Sequence, residues 1–457
     1  MLNGVWHHRY LRKLPKIPQV TEDVRILFNP KDFFRVLLQS IYSAKKRICL
    51  VVLYLERDHG GKKILEGLYC AKNMNPALDI VILVDWHRAQ RNCLGNSLIK
   101  SKFCRFVTNV DWYCYMASKY PDVDVPVYGV PISIYEVFGV LHLKGFIIDD
   151  QVIYTGASLN DVYLQQFSKY RYDRYQIITN KFLADSLCDY IQDNFLATSV
   201  IKRLNVFASC IRKLKINKYY FRIFRRKLRQ CKYSYDEYLD FGQLSIVPLV
   251  GLGSRNILNE VIYHLISSTS MVVTLCTPYF NLSPVLFRSI VEVLRLGKVV
   301  EVIVGDKTAN DFYFSEDQDF HIVGIIPYLY EMNLYRFVNF FQRYIDDGRL
   351  FVRVWKNDNN TYHVKGIWVD GMWQLLTGHN LNPRSWKFDL ENGLLFYDPH
   401  KLLYDQYRKE LSLIRLHTKI IKSCADLDHV ENYPNKIRKF IYRMCLMRID
   451  WLVKWIL

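Results

Sequence analysis

The sequence predicts an α/β protein built from two fused domains, each a mixed, largely parallel sheet flanked by helices. Three observations carry this expectation. The chain has 457 residues, half of them hydrophobic, which is too long for one typical domain and enough for two cores. Apolar runs of strand length alternate with stretches of helical spacing. An eleven-residue pattern also occurs twice, as "VLHLKGFIIDD" (140–150) and "TYHVKGIWVDG" (361–371). Its histidines, His142 and His363, lie 221 positions apart, so the repeat is domain-sized and not a solenoid.

Each half reads in the same order. In the first, "RICLVVLYL" (47–55) is a buried-strand run, "GGKKILEGLYCAKNM" has helical spacing, and "LDIVILVDWHRAQR" (78–91) is a second strand with a polar end. "VDVPVYGVPI" then leads into the first His-Lys-Asp stretch. In the second, "MVVTLCTPYF" (271–280), "SPVLFRSIVEVLRLGK" and "VVEVIVGDKTAND" (299–311) repeat strand, helix and strand, and "LFVRVWKNDN" leads into the second stretch. Apolar strands joined by helices are parallel βαβ units. The expected domains are 1–200 and 241–430, with a basic linker at 201–240 and a basic amphipathic tail at 431–457.

The net charge of +18 calls for an anionic partner: nucleic acid, an acidic membrane surface or a phosphate-bearing substrate. Residues 201–232 hold twelve Lys or Arg and no acid. Leu214, Tyr220 or Phe221, Phe224 and Leu228 form a loose helical stripe there. The segment reads either as a solvated bridging helix or as a surface for anionic lipid, RNA or another polyanion. In the tail, Phe440, Met444, Met447, Trp451 and Trp455 recur at three- and four-residue steps among Lys436, Arg438, Lys439, Arg443, Arg448 and Lys454. That stripe fits a helix docked on the core or one lying on a membrane, which the two Trp and the flanking basic residues favour. The 11 cysteines lack CxxC pairs and read as reduced cytosolic thiols. The basic N-terminus has no apolar stretch behind it, which argues against a signal peptide. No run of about 18 apolar residues offers a transmembrane helix.

The repeated stretch carries the chemistry. In extended chain, residues i and i+2 share a face, so His142 projects with Lys144, and His363 with Lys365. Asp149 and Asp370 lie seven residues beyond each His, too far to join it, and suit an orienting or turn-capping role. If the halves pack as a pseudo-twofold pair, two imidazoles and two ammonium groups meet in one pocket. One His would attack phosphorus and the other protonate the leaving oxygen. The lysines would neutralise the non-bridging oxygens. No carboxylate or Cys cluster supplies a metal, so no cofactor is expected. Chance would give about 0.04 such His-Lys-Asp matches at ordinary residue usage, so two argue for function. Each is followed by a glycine-asparagine element, "GASLN" (156–160) and "GHNLN" (378–382).

Paired HxKxxxxD stretches with a downstream asparagine resemble the phospholipase D superfamily. Within it, the chain resembles the Gram-negative bacterial phosphatidylserine synthases, the CDP-diacylglycerol–serine O-phosphatidyltransferases. The resemblance runs from "LPKIPQ" through "LVDWHRAQR", "GVLHLKGFIIDD", "GASLNDVYL", "KYRYDRY", "CTPYFNL", "VGDKTANDFY", "NTYHVKG" and "LNPRSW" to the tail. It implies two fused phospholipase D-like domains, no metal requirement and a protein peripheral to the cytosolic face of the inner membrane. The implied reaction releases CMP from CDP-diacylglycerol and passes the phosphatidyl group, through a phosphatidyl-histidine, to L-serine. The product would feed phosphatidylethanolamine synthesis.

By the same analogy His142 is the nucleophile and His363 the general acid and base, although the residues themselves leave the two symmetric. Lys144, Lys365, Asn160 and Asn382 would hold phosphate oxygens. Ser158 would donate to an oxygen or hold a His. Asp173 and Glu391, downstream of the two Asn, would bond the second ring nitrogen of a His or form ordinary ion pairs. Tyr54 and Tyr279 follow the first strand of each half, where strand ends face a ligand crevice, and would line the pocket or pack. Arg88 and Arg91 would meet the cytidine diphosphate or form surface salt bridges. A phospholipase D-type nuclease or a cardiolipin synthase could use the same pocket, and a non-catalytic scaffold is disfavoured by two intact motifs.

Overall fold

A computed structural model of the chain describes residues 2–91, 108–206, 217–236, 242–315 and 321–447. Two sheets of matching topology dominate it. The N-terminal sheet runs, edge to edge, Lys202–Arg203, Val127–Val130, Asp79–Asp85, Arg47–Val52, Gly145–Ile148, Gln151–Thr155, Tyr175–Thr179 and Val24–Leu27. The C-terminal sheet runs Thr418–Ile421, Leu350–Trp355, Val299–Gly305, Val272–Thr277, Gly366–Val369, Trp373–Thr377, Leu390–Tyr397, Ser245–Leu252 and Ile17–Pro18. The sheets are mixed, as expected, but not largely parallel. Only the three strands of each βαβ core pair in parallel; the other described pairs in the two sheets are antiparallel. The motif strands and their successors are joined by tight turns, which only antiparallel neighbours allow.

The continuous apolar runs follow from burial on both faces. Ile48, Leu50 and Val52 pack with Ile64, Leu65 and Leu68 of the helix His59–Met74. Between them, Cys49 and Val51 belong to a different core, which also holds Cys276, Ile303 and Leu394 of the other sheet. The C-terminal sheet mirrors this, with Val273 and Leu275 against Ile290 and Val293 of the helix Pro284–Arg295. The molecule is therefore layered as helices, sheet, sheet and helices. In the shared middle layer Arg174 forms a two-pronged ion pair with Glu410, at 2.8 and 2.9 Å. Its guanidinium lies 4.2 Å over the Trp368 ring, so the charge buried between the halves is both paired and stacked.

One segment departs from the sequence-based expectations, and two that were left open take definite positions. The first residues do not belong to the N-terminal domain. Helix Leu2–Arg12 packs on helix Ile257–Ser267, where His7 and His264 bring their Nδ1 atoms to 2.8 Å, and Ile17–Pro18 edges the C-terminal sheet. In the linker, helix Lys218–Gln230 buries Phe221, Phe224 and Leu228 in the shared core and leaves Tyr219, Tyr220 and Ile223 exposed. Leu214 lies outside the described residues. In the tail, helix Asn435–Leu446 docks Ile437, Ile441 and Met444 on Ile325, Tyr328, Leu329 and Met332. The stripe that reaches the core is thus led by isoleucines, with Phe440 at its edge and Met447 61% exposed. Arg448, Trp451, Lys454 and Trp455 lie outside the described residues. No described helix is long and apolar enough to cross a membrane.

Candidate active site

The halves meet by exchanging backbone. Thr361–Tyr362, just before His363, pairs in parallel with Arg171–Tyr172 of the first half. Leu141, just before His142, bridges to Leu390 of the second. The amide of His363 donates to the Tyr172 carbonyl at 2.8 Å, and that of His142 to the Leu390 carbonyl at 3.0 Å. Each histidine is therefore fixed one residue away from a carboxylate of the opposite half. Glu391 Oε2 lies 2.8 Å from His142 Nδ1, and Asp173 Oδ2 lies 2.6 Å from His363 Nδ1. A carboxylate only accepts, so Glu391 favours a proton on Nδ1 of His142 and leaves Nε2 its lone pair; at His363 Asp173 favours the same tautomer, against Lys365 Nζ at 2.7 Å from the same nitrogen.

The motif residues form extended chain outside the regular strands, which begin at Gly145 and Gly366. Gly145 sits at φ 127°, a conformation closed to L side chains. A Cβ at Gly366 would come within 2.2 Å of the Arg174 guanidinium. These two glycines let the chain turn from the pocket into the sheet.

His142, Lys144, His363 and Lys365 are all buried, and their charges act on one another. Burial, then Lys144, with Lys365 further off, pushes His142 well below its ordinary range. Burial and then Lys365 push His363 down to about 3. Lys365 Nζ lies 2.7 Å from His363 Nδ1 and 3.5 Å from Asp173 Oδ2. Burial favours the protonated form of Asp173, but Lys365 and His363 outweigh it and hold the carboxyl below its ordinary range. Glu391 is instead pushed up, chiefly by burial, with His379, Ser385 and Lys144 opposing.

The lysines are poised. Burial and then Lys365 push Lys144 down to about 7; burial, opposed by Asp173 and Glu391, brings Lys365 to about 8. Each loses its charge as pH rises through that value in the empty pocket. Since kcat/KM reports the free enzyme, it should fall above about pH 7–8 for an anionic substrate. kcat should hold to higher pH, because the bound anion favours the ammonium form. A kcat/KM profile flat to about pH 9 contradicts the assignment of these lysines to charge neutralisation.

The remaining sequence candidates divide. Asp149 and Asp370, although members of the motif that carries the catalytic residues, do not enter the pocket and take the turn-capping role. Asp149 accepts from the amides of Lys45, Lys46 and Arg47, and Asp370 from those of Ser270, Met271 and Val272. Both sit at positive φ in the turn after the motif strand, seven residues from the His, and pin that turn to the first strand of their own sheet. Arg88 and Arg91 both pair with Glu136, at 2.9 and 2.6 Å, which is the salt-bridge alternative. Asn160 donates to Glu56 and accepts from the Tyr163 amide, and Asn382 caps helix Pro383–Lys387. Both asparagines thereby shape the turns behind the pocket. Ser158 is buried in the first of these turns. Tyr279 meets the His363 ring edge-on at 6.2 Å between centroids, and Tyr54 lies behind Tyr163 at 6.5 Å.

Four residues at the site escaped the sequence reading. The Tyr163 hydroxyl is 3.1 Å from both ring nitrogens of His363. Arg171 lies 4.8 Å over the Tyr163 ring, and Asp311 accepts from the Tyr279 hydroxyl at 2.6 Å. His379 is fully buried beside Glu391, its Nδ1 accepting from the Leu381 amide. All four stand in segments already conspicuous in the sequence, "LNDVYL", "KYRYDRY", "VGDKTAND" and "GHNLN". For Asp311 and His379 the available signal was a polar residue soon after an apolar strand; Tyr163 and Arg171 carried no such signal.

Two α/β repeats that trade carboxylates across a shared pair of His-x-Lys segments define a phospholipase D-like enzyme. The family model described as cardiolipin synthase, PLD-like domain, matches residues 262–414. The chain is 51% identical over 99% of its length, and 98% of the relative's, to the CDP-diacylglycerol–serine O-phosphatidyltransferase of Escherichia coli K12. It is 45% identical to the corresponding Haemophilus influenzae protein, over 98% and 97%. The crystal structure of phosphatidylserine synthase from Haemophilus influenzae superposes with a TM-score of 0.94, covering 99% of both chains at 44% identity. The chain belongs to the CDP-diacylglycerol–serine O-phosphatidyltransferase family and is a phosphatidyltransferase.

Proposed function

We propose that the protein transfers the phosphatidyl group of CDP-diacylglycerol to L-serine by two displacements at one pocket. The crossed His–carboxylate pairs are the observation that carries this reading. In the first step the lone pair of His142 Nε2 attacks the phosphorus that bears diacylglycerol. The bond to the CMP oxygen breaks, and His363 gives that oxygen a proton. Glu391 accepts the Nδ1 hydrogen bond and stabilises the cationic ring as it forms. In the second step the serine hydroxyl loses its proton to His363 and attacks phosphorus, and the bond to His142 breaks. The low proton affinity of His363 belongs to the empty pocket. The diphosphate brings negative charge beside it, which favours the protonated ring that the first step needs. Lys144 and Lys365 face the non-bridging oxygens as charge builds there.

The acceptor and donor rest on the names of the relatives, and one assay tests both. The purified protein is incubated with CDP-diacylglycerol in detergent, with and without L-serine. Serine-stimulated CMP release with phosphatidylserine as product is expected. Equal release with and without serine would identify a hydrolase, and no release in either arm would overturn the reading.

Peripheral contact with an anionic membrane is part of the proposal, and the described residues favour helix Lys218–Gln230 over the tail. Its outer face sets Tyr219, Tyr220 and Ile223 beside Lys218, Arg222 and Arg226, all exposed. The described tail helix spends its apolar face on the core. Each basic residue near an anionic surface contributes about 1 kcal/mol. Replacing Lys218, Arg222 and Arg226 by Gln should therefore weaken binding to anionic vesicles about 100-fold at low salt, and less at high salt. Unchanged vesicle binding across a salt titration would exclude this helix as the contact.

A further inference from the structure

The reaction requires one amino acid to be chosen from a cytosol full of water and other alcohols. L-serine carries three handles in a small volume: the hydroxyl that reacts, an α-carboxylate and an α-ammonium. A site selecting it needs a cation and an anion held apart, both within reach of the group that takes the hydroxyl proton.

We infer that Arg171 and Asp311 form the acceptor subsite, Arg171 taking the carboxylate and Asp311 the ammonium of L-serine beside His363. The inference rests on the two-displacement reading above. Arg171 Nη1 lies 3.6 Å from Asp311 Oδ2, with side chains 13% and 21% exposed. The pair Arg174–Glu410 differs in both distance and exposure. That structural pair is two-pronged at 2.8 and 2.9 Å and sealed, at 1% and 5% exposure. The Arg171–Asp311 pair is looser and more open, and a zwitterion can enter it with each charge finding its opposite.

Each member is also anchored by a neighbouring hydroxyl. Arg171 Nε donates to Thr361 Oγ1 at 3.1 Å, and the guanidinium rests on the Tyr163 ring. Asp311 Oδ1 accepts from the Tyr279 hydroxyl at 2.6 Å. Tyr163 touches His363 and Tyr279 packs against it, so one ring separates each charge from the imidazole. Tyr54, Tyr163 and Tyr279 also give an ammonium an aromatic surround. Burial alone would favour the neutral carboxyl, but Arg171, Tyr279 and His363 outweigh it and hold Asp311 below its ordinary range.

The arrangement occurs on one side of the pocket. The pseudo-symmetric position to Arg171, two residues before Glu391, is Asp389. It is committed to Arg384 at 3.1 Å and to the Val140 amide at 3.0 Å. The clamp therefore accompanies His363, which acts as base for the acceptor, and not His142, which carries the phosphatidyl group.

Two serine analogues read the two halves of the clamp separately. Ethanolamine lacks the carboxylate and 3-hydroxypropionate lacks the ammonium. With CDP-diacylglycerol in detergent, the parent, Arg171→Gln and Asp311→Asn are compared by kcat/KM for L-serine and each analogue. A ratio of acceptors does not depend on how much of a variant is folded. Exchange of labelled CMP into CDP-diacylglycerol without acceptor reads the first displacement alone. In Arg171→Gln, the preference for serine over ethanolamine should fall about 100-fold, with that over 3-hydroxypropionate much less changed. Asp311→Asn should show the reverse, and Arg171→Lys should restore part of the lost preference. A uniform loss for all acceptors, matched by an equal loss of CMP exchange, would make the pair structural or a phosphate contact and overturn the inference. Absence of exchange in the parent would instead strike the two-displacement reading on which the inference rests.

Discussion

Replacing either His142 or His363 by Ala is expected to cut phosphatidyl transfer by about 10⁴-fold or more, because in the proposed mechanism each removes a group that bonds to or shuttles a proton at the reacting atoms. The fold should survive. Both rings line the pocket, and neither belongs to a hydrophobic core of the two domains. Each variant leaves a buried carboxylate without its ring, Glu391 for His142 and Asp173 for His363, at a cost of about 1–3 kcal/mol. A fall of a few degrees in thermal midpoint is the expected price, measured alongside turnover on purified protein. The two losses should not add in the double variant, since the residues serve one reaction cycle. Near-normal turnover in either single variant contradicts a two-histidine mechanism.

Asp173→Asn and Glu391→Gln should each lower kcat by roughly 10²–10⁴-fold, with a smaller effect on KM for CDP-diacylglycerol. An amide nitrogen turned toward Nδ1 would donate to it and move the ring proton to Nε2, the nitrogen that must react. An amide oxygen in that place would keep the tautomer but lose the charge that stabilises the cationic ring. Asp173→Asn should be the more damaging. Asp173 also lies 3.5 Å from Lys365 Nζ, so its loss leaves an ammonium and an imidazole facing each other without an anion. The measurement is kcat as a function of pH for both variants. Equal, small effects at every pH would reduce the carboxylates to structural ion pairs.

The sequence carried the strands, the repeat and the paired His-x-Lys segments because each is a local pattern. Ile48, Leu50 and Val52 alternate with Cys49 and Val51, and a strand apolar on both faces must be covered on both. The two His-x-Lys pairs could be placed in one pocket because a repeated ionisable stretch inside apolar chain has few other uses. What is not local was harder to read. The choice of Glu391 for His142 and Asp173 for His363 depends on the backbone exchange at Leu390 and Tyr172, which no spacing encodes. The parallel bias was overstated because the motif strand and its successor are as apolar as the βαβ strands, and apolarity reports burial, not direction. The motif aspartates recur with the histidines without joining them, and the sequence left their role between orienting and turn-capping. They recur because both halves need the same turn pinned, as the three amides on Asp149 and on Asp370 show. The tail stayed open for a related reason, since a helix stripe such as Ile437, Ile441 and Met444 looks the same facing a core or a membrane.

The central claim is that a covalent enzyme intermediate separates the loss of CMP from the arrival of the acceptor. Exchange of labelled CMP into unlabelled CDP-diacylglycerol, in the absence of L-serine, tests it most directly. A phosphatidyl-histidine reverses by reaction with CMP, so the parent should exchange label at a rate comparable to its turnover, and His142→Ala should not exchange at all. A parent that makes phosphatidylserine at full rate yet exchanges no CMP without serine would mean that serine attacks the substrate directly, and would contradict the account.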